Sequence, residues 1–220
     1  MIQKLLEIIH TKYPLTQIEV GNMKTLKANG MTFSIQAYKA KGLGHVSVMC
    51  AKGFFGLMKM DTLIVNPYDI DLPLYSYDRI FAAGNDTLIV ELYDTLVGEY
   101  SEEKLEKVKA QYSELCERDP GEHWYDNIKL ASSISKKGKK SEKAKFDDLT
   151  IKHFEAYLEG GREVLEADKS KKQEKAGYYV KGLLEKGGPS TDVFKKSLGV
   201  ETTKELFENI LFGTNVKMLQ

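Results

Sequence analysis

Between residues 17 and 92 the chain is a succession of short apolar runs separated by tight turns, with no helix-length segment among them. Runs with strand character cover residues 17–20, 23–28, 32–38, 45–51 and 55–65. Gly21-Asn22, Asn29-Gly30 and Gly42-Leu43-Gly44 separate the first four. Asn-Gly between two such runs is a hairpin signal, because both turn positions need positive φ. After Asn66-Pro67 the stretch Asp71-Leu-Pro-Leu-Tyr-Ser-Tyr-Asp78 reads as a loop. It leads into Arg79-Ile-Phe-Ala-Ala, a turn at residues 84–86 and a last strand at 87–92. Turns this short join antiparallel strands, since a parallel pair needs a crossover of about a dozen residues or more. About six antiparallel strands are therefore expected, and a βαβ nucleotide-binding layout is excluded.

Residues 58–65 and 80–92 are apolar on both faces over much of their length, so the sheet needs cover on both sides. Ile2, Leu5, Leu6 and Ile9 recur at helical spacing, which predicts a helix over 2–12 ended by Pro14. Ser101 is a candidate N-cap for a helix whose buried stripe is Leu105, Val108, Tyr112 and Leu115. Further helices are expected over 149–167, 173–185 and 202–212. The fold class read from this is α+β: a single-domain α-β-α sandwich over residues 1–220. The lysine-rich stretch 135–147 holds little that is apolar and reads as a mobile, solvated loop.

Several functions are argued against. Lys plus Arg and Asp plus Glu number 32 each, so the excess cationic charge that nucleic-acid binding rests on is missing. There is no apolar run near the length of a membrane span, and Glu7 interrupts the apolar start. Cys50 and Cys116 fall in different expected elements, which suits a reduced, cytoplasmic compartment. The sequence has no Gly-rich phosphate loop, CxxC, HExxH or Gly-x-Ser-x-Gly motif. His10, His45, His123 and His153 are scattered, so no metal pair is expected. Trp124 and Tyr125 either line a pocket rim or pin their loop to the core. Asp78, flanked by apolar strands, is placed to hold a carboxyl group in a partly dry site; from the residues alone it reads as a turn cap or a partner of Arg79.

Two stretches carry a resemblance. Asn66-Pro67 followed by Leu72-Pro-Leu-Tyr-Ser-Tyr-Asp78-Arg-Ile resembles the strand and the Pro-Leu-Phe-Gly-x-Asp-Ile/Val pattern of ferredoxin-dependent bilin reductases and red chlorophyll catabolite reductases. Tyr178-Tyr179, Gly187-Gly-Pro189, Leu198-Gly-Val-Glu201 and Leu206-Phe-x-x-Ile-Leu-Phe212 are similar, in order and spacing, to that family's closing pattern. The resemblance spans roughly residues 44 to 213, with the charged middle poorly matched. It implies an open-chain tetrapyrrole substrate between the sheet and the C-terminal helices. It also implies electrons arriving singly from reduced ferredoxin or flavodoxin, with no metal or flavin bound to the enzyme itself. The family's central proton donor falls on Asp78. Burial raises a carboxyl pKa, which lets such a group keep its proton near neutral pH.

The departures bear on the site. Many members place His or Asn on the preceding strand; here that position is Thr62, next to Asp61. Side chains alternate along a strand, so only one of the two faces the pocket. Were it Asp61, two carboxyl groups would share a proton. Where some members have an acid before the Pro of the closing pattern, this chain has Gly188, and the nearest acid is Asp192. The family's substrates carry propionates, for which Arg79, Arg162 and Lys181 are the candidate cations, with Tyr75 a further substrate-binding candidate. The electron donor is expected to dock near the lysines of residues 136–145. A rival reading is a protein that binds a tetrapyrrole or another flat apolar acid without reducing it.

Overall fold

The computed structural model describes residues 1–188 and 190–215. Its centre is one antiparallel sheet of eight strands. In chain order these are β1 (Leu15–Ile18), β2 (Thr25–Ala28), β3 (Met31–Ala40), β4 (Gly44–Gly53), β5 (Met58–Pro67), β6 (Leu74–Ala82), β7 (Asn85–Tyr93) and β8 (Ile134–Lys139). From β3 to β7 the spatial order follows the chain, each strand hairpinned to the next. β1 and β2 share the outer edge of β3, and β8 closes the far side against β7. The Asn29-Gly30 turn forms as its residues require: φ is 47° and 72°, and Ala28 pairs directly with Met31.

The helices cover both faces. α1 (Ile2–Lys12), α2 (Glu103–Ala110) and α3 (Lys143–Glu159) bury Leu5, Ile9, Leu105, Phe146, Leu149 and Phe154 against Val46, Leu63, Tyr77 and Leu88. On the opposite face lie α4 (Glu166–Lys186), α5 (Thr191–Leu198), α6 (Val200–Glu205) and a π-helical segment (Leu206–Leu211). They bury Tyr179, Leu183, Phe194, Leu206 and Phe207 against Phe33, Ile35, Met49 and Ile64. The result is the α-β-α sandwich, with eight strands where about six were expected; β8, at one edge, is the strand that was not anticipated. Ser101 lies one residue outside the cap position of α2, and its Oγ accepts the Glu103 N–H at 3.4 Å.

Two expectations are corrected. The lysine-rich stretch is not a loop: it is β8, a short 3₁₀ turn and the start of α3. β8 is an edge strand, and lysines on an edge guard it against pairing with another sheet. Several charges of the lysine-rich stretch are already matched, Lys136 of β8 to Glu117, and Lys143 and Lys145 of α3 to Asp147 and Glu114. Asp71–Asp78 is not a loop throughout either, because β6 begins at Leu74 and Asp78 stands mid-strand. The turn before it is clamped by Asp71, whose carboxylate accepts the Val97 and Gly98 N–H groups at 3.1 and 2.9 Å. The buried Lys172 of α4 donates to Asp71, Leu72 O and Thr95 O at 3.2, 2.7 and 3.2 Å. Burial brings the Lys172 ammonium down to about 8, with Asp71 opposing that shift.

Candidate functional site

Strand alternation decides which side chains meet. On β6, Leu74, Ser76 and Asp78 face α4 and the π-helical segment, while Tyr75, Tyr77 and Arg79 face α1 and α3. On β5, Thr62 and Ile64 share the Asp78 face, and Thr62 sits directly opposite Asp78 in the register. On β7 the same face presents Glu91 and Tyr93, with Ser76 between Glu91 and Asp78 across the pair. These groups line a cavity of about 80 Å³, roofed by Tyr179, Phe207 and Phe212.

Thr62 Oγ1 donates to Asp78 Oδ1 at 2.5 Å. Asp78 keeps some surface open to the cavity and is surrounded by protein otherwise. Desolvation pushes its carboxyl from an ordinary 3.8 up to about 6; the Thr62 hydroxyl pulls the other way, and the negative charge of Glu91 adds to the rise. Glu91 accepts from Tyr93 Oη at 2.6 Å and lies 3.8 Å from Lys129 Nζ. Tyr93 stacks on Tyr179 with centroids 4.0 Å apart, and Tyr125 meets Tyr93 edge-on at 5.5 Å. The site is thus a protonatable carboxyl with a second carboxylate beside it, under a box of aromatic rings. It holds no Lys or Arg among its described lining residues.

The cover is fastened to the sheet by three side chains. His45 Nε2–H donates to Ile210 O at 2.8 Å, Ser47 Oγ to Leu211 O at 2.6 Å, and Asn66 Nδ2 to Phe212 O at 2.8 Å. Three successive carbonyls at the end of a helix are satisfied this way. Burial brings His45 down to about 4, so it is neutral and acts here through one ring N–H. Gly213, at φ 58°, follows with its backbone against the His45 ring, where a β-carbon would collide. The fastened segment is π-helical, with the Phe212 N–H reaching back five residues to Phe207 O. Such segments concentrate at functional sites.

The sequence-derived candidates separate accordingly. Asp78 and Thr62 come together. Asp61 points to the opposite face, beside Cys50, and the second carboxylate of the cavity is Glu91. Tyr75 packs among His153, Phe154 and Tyr157 in the α3 layer and does not reach the cavity. Arg79 is buried on that same side, bonded through Nε and Nη2 to Asp86 and 3.5 Å from Asp147. Arg162 lies exposed between α3 and α4, its carbonyl accepting the Asp71 N–H at 2.6 Å. Lys181 stands on the outer face of α4, 3.7 Å from Glu185. Asp192 is exposed at the start of α5, although the adjoining Ser190 and Thr191 line the cavity. Pro189 of the closing pattern lies outside the described residues. Tyr125 lines the cavity, while Trp124 pins its loop by packing on Gly182 and donating to Gly187 O at 2.9 Å. His153 is structural, bonded to Ser132 O at 3.1 Å. Sequence reasoning missed Glu91, Tyr93 and the His45–Ser47–Asn66 set. The alternation of residues 87, 89, 91 and 93 would have placed the first two on one face.

No family model and no curated protein sequence matches this chain. Among solved structures its fold is similar to that of phytochromobilin synthase from tomato, crystallised in complex with biliverdin. The TM-score is 0.76 over 99% of this chain and 83% of that one, at 15% sequence identity. At that identity the likeness is one of fold: an antiparallel sheet between two helical layers, shared with a protein that takes a bilin.

Proposed function

We propose that the protein binds an open-chain tetrapyrrole between the sheet and the α4–π-helical layer, and reduces it with electrons from ferredoxin or flavodoxin. The observation that carries this reading is Asp78, a carboxyl group held near pKa 6 on the cavity face of a fold shared with a biliverdin complex. Reducing one double bond takes two electrons and two protons. Asp78, protonated, supplies one proton to the bilin, and its conjugate base stays hydrogen-bonded to Thr62. Reprotonated from water through the cavity, Asp78 then supplies the second proton as well. The aromatic box of Tyr93, Tyr125 and Tyr179 supplies flat surfaces for conjugated rings.

Ligand pockets for molecules of this class run to about 300–1,000 Å³, well above the 80 Å³ found between the layers. Binding therefore requires the π-helical segment to lift, and the His45, Ser47 and Asn66 bonds are the ones that break. With no Lys or Arg among the described residues that line the cavity, the propionates are left to project out of its mouth into water.

Binding without reduction is the second reading, favoured by Thr62 standing where the resembled family often has His. Anaerobic turnover of biliverdin with reduced ferredoxin separates the two. The reductase reading expects turnover in the wild type and a loss of about a hundredfold or more in Asp78→Asn with binding retained. Binding with no turnover in either form selects the second reading.

A further inference from the structure

The β4–β5 hairpin ends in Phe54-Phe55-Gly56-Leu57, and three of these side chains stand in solvent: Phe54 is 51% exposed, Phe55 108% and Leu57 75%. Both phenylalanines have positive φ, 50° and 55°. A bulky L-residue there is an outlier, and two in succession mean a backbone held in a disfavoured form that turns the rings outward. A tip that only reversed the chain would be served by Asn and Gly, as Asn29-Gly30 serves the neighbouring hairpin. Single exposed apolar side chains are ordinary, whereas three on one protruding tip mark a contact surface.

The exposed charges next to the tip are lysines; of the acids at that end of the sheet, Asp86 is buried against Arg79 and Glu142 accepts the Lys139 N–H at 2.9 Å. Register places Met31 opposite Gly53, and Asn85 opposite both Ala82 and Lys139, so three hairpin tips and the end of β8 share one end of the sheet. That end carries Lys27, Lys52, Lys59, Lys139 and Lys140, all exposed and none in an ion pair among the described residues. Residues 51–60 contain no acid. An apolar wedge projecting past a lysine collar matches an anionic bilayer. Its rings reach the boundary of headgroups and acyl chains while the ammonium groups stay at the phosphates. A convex wedge also suits a deformable surface, where a folded partner would have to bring a matching pocket. We propose that the hairpin tip at residues 54–57 inserts into anionic lipid surfaces and holds the protein there peripherally. This rests on the hairpin and its collar alone and stands apart from what the cavity binds.

Co-sedimentation of the full chain with vesicles tests it. Phosphatidylcholine vesicles containing roughly 30% phosphatidylglycerol are compared with phosphatidylcholine alone. The wild type is expected to sediment with the anionic vesicles only, and less so at high salt. Phe54→Asn with Phe55→Asn should weaken that binding about tenfold or more while leaving the melting temperature equal or higher, because Asn accepts this backbone region. Lys52→Gln with Lys59→Gln should weaken it as well, without touching the apolar tip. A wild type that ignores both vesicles overturns the proposal, as does an Asn variant that binds like the wild type. A concentration-dependent dimer that the Asn variant abolishes, with no vesicle binding, assigns the tip to a second copy and overturns it too.

Discussion

In the proposed chemistry Asp78 is the proton donor, and its protonation is a balance of three influences: the protein that desolvates it, Thr62 and Glu91. Each can be moved separately. Thr62→Val removes the hydroxyl donor and should carry the Asp78 titration above 6, whereas Glu91→Gln removes the like charge and should carry it below. A carboxyl-resolved NMR titration reads both directions. The same shift acts on stability. A carboxyl whose folded pKa lies above its unfolded value contributes stability that is full below the unfolded value and is lost as pH rises through the folded one. For Asp78 that window runs from 3.8 to about 6. Asp78→Asn should therefore be more stable than the wild type at pH 8, by as much as ~3 kcal/mol, with the difference closing towards pH 4. Urea unfolding at the two pH values checks it. Arg79 behaves in the opposite sense. It is buried against Asp86 and lies over the Phe146 ring at 4.8 Å, so Asp86→Asn leaves the buried guanidinium with Asp147, 3.5 Å away, as its remaining carboxylate partner among the described residues. The expected cost is about 3–5 kcal/mol, read from the same denaturant curves.

At the scale of elements, β6 shows what was legible and what was not. Asp78 was found because the Pro-Leu-Phe-Gly-x-Asp pattern of the resembled family falls on it, and Thr62 by a count back along the chain from Pro67; neither needs knowledge of direction. Tyr75 and Arg79 were drawn into the same site because the stretch was read as a loop, where neighbours in sequence share surroundings. As a strand, it sends odd and even residues to opposite layers. β8 was hidden for another reason: its stability comes from pairing with β7 at residues 85–90 and not from its own composition. Five helices were legible from their apolar spacing, although the one expected over 149–167 ends at Glu159 and α5 was missed; the π-helical register of Leu206–Leu211 was not legible, since it depends on side chains of β4 and β5 catching its carbonyls. That dependence is testable. Ser47→Ala with Asn66→Ala removes two of the three bonds, at about 1 kcal/mol each, and should speed amide exchange at residues 207–213 about tenfold or more, leaving α1 and α3 protected. The same variant should take up a bilin faster if the segment is the cover that lifts.

The whole molecule is a sheet with two unlike faces. One is sealed by α1, α2 and α3 around a packed aromatic and aliphatic core that contains the Arg79–Asp86 pair. The other carries the polar band from Ser47 to Glu91 beneath α4 and the π-helical segment, and it is there that space, aromatic surface and a protonatable acid coincide. Among the described residues no helix is long and apolar enough to cross a membrane, and no cluster of His, Cys, Asp and Glu is arranged to hold a metal. The most direct measurement is an absorbance titration of the purified protein with biliverdin. A saturable, red-shifted spectrum is expected as the chromophore straightens and is held between the sheet and the α4–π-helical layer. A spectrum that stays that of free biliverdin at every protein concentration would contradict it.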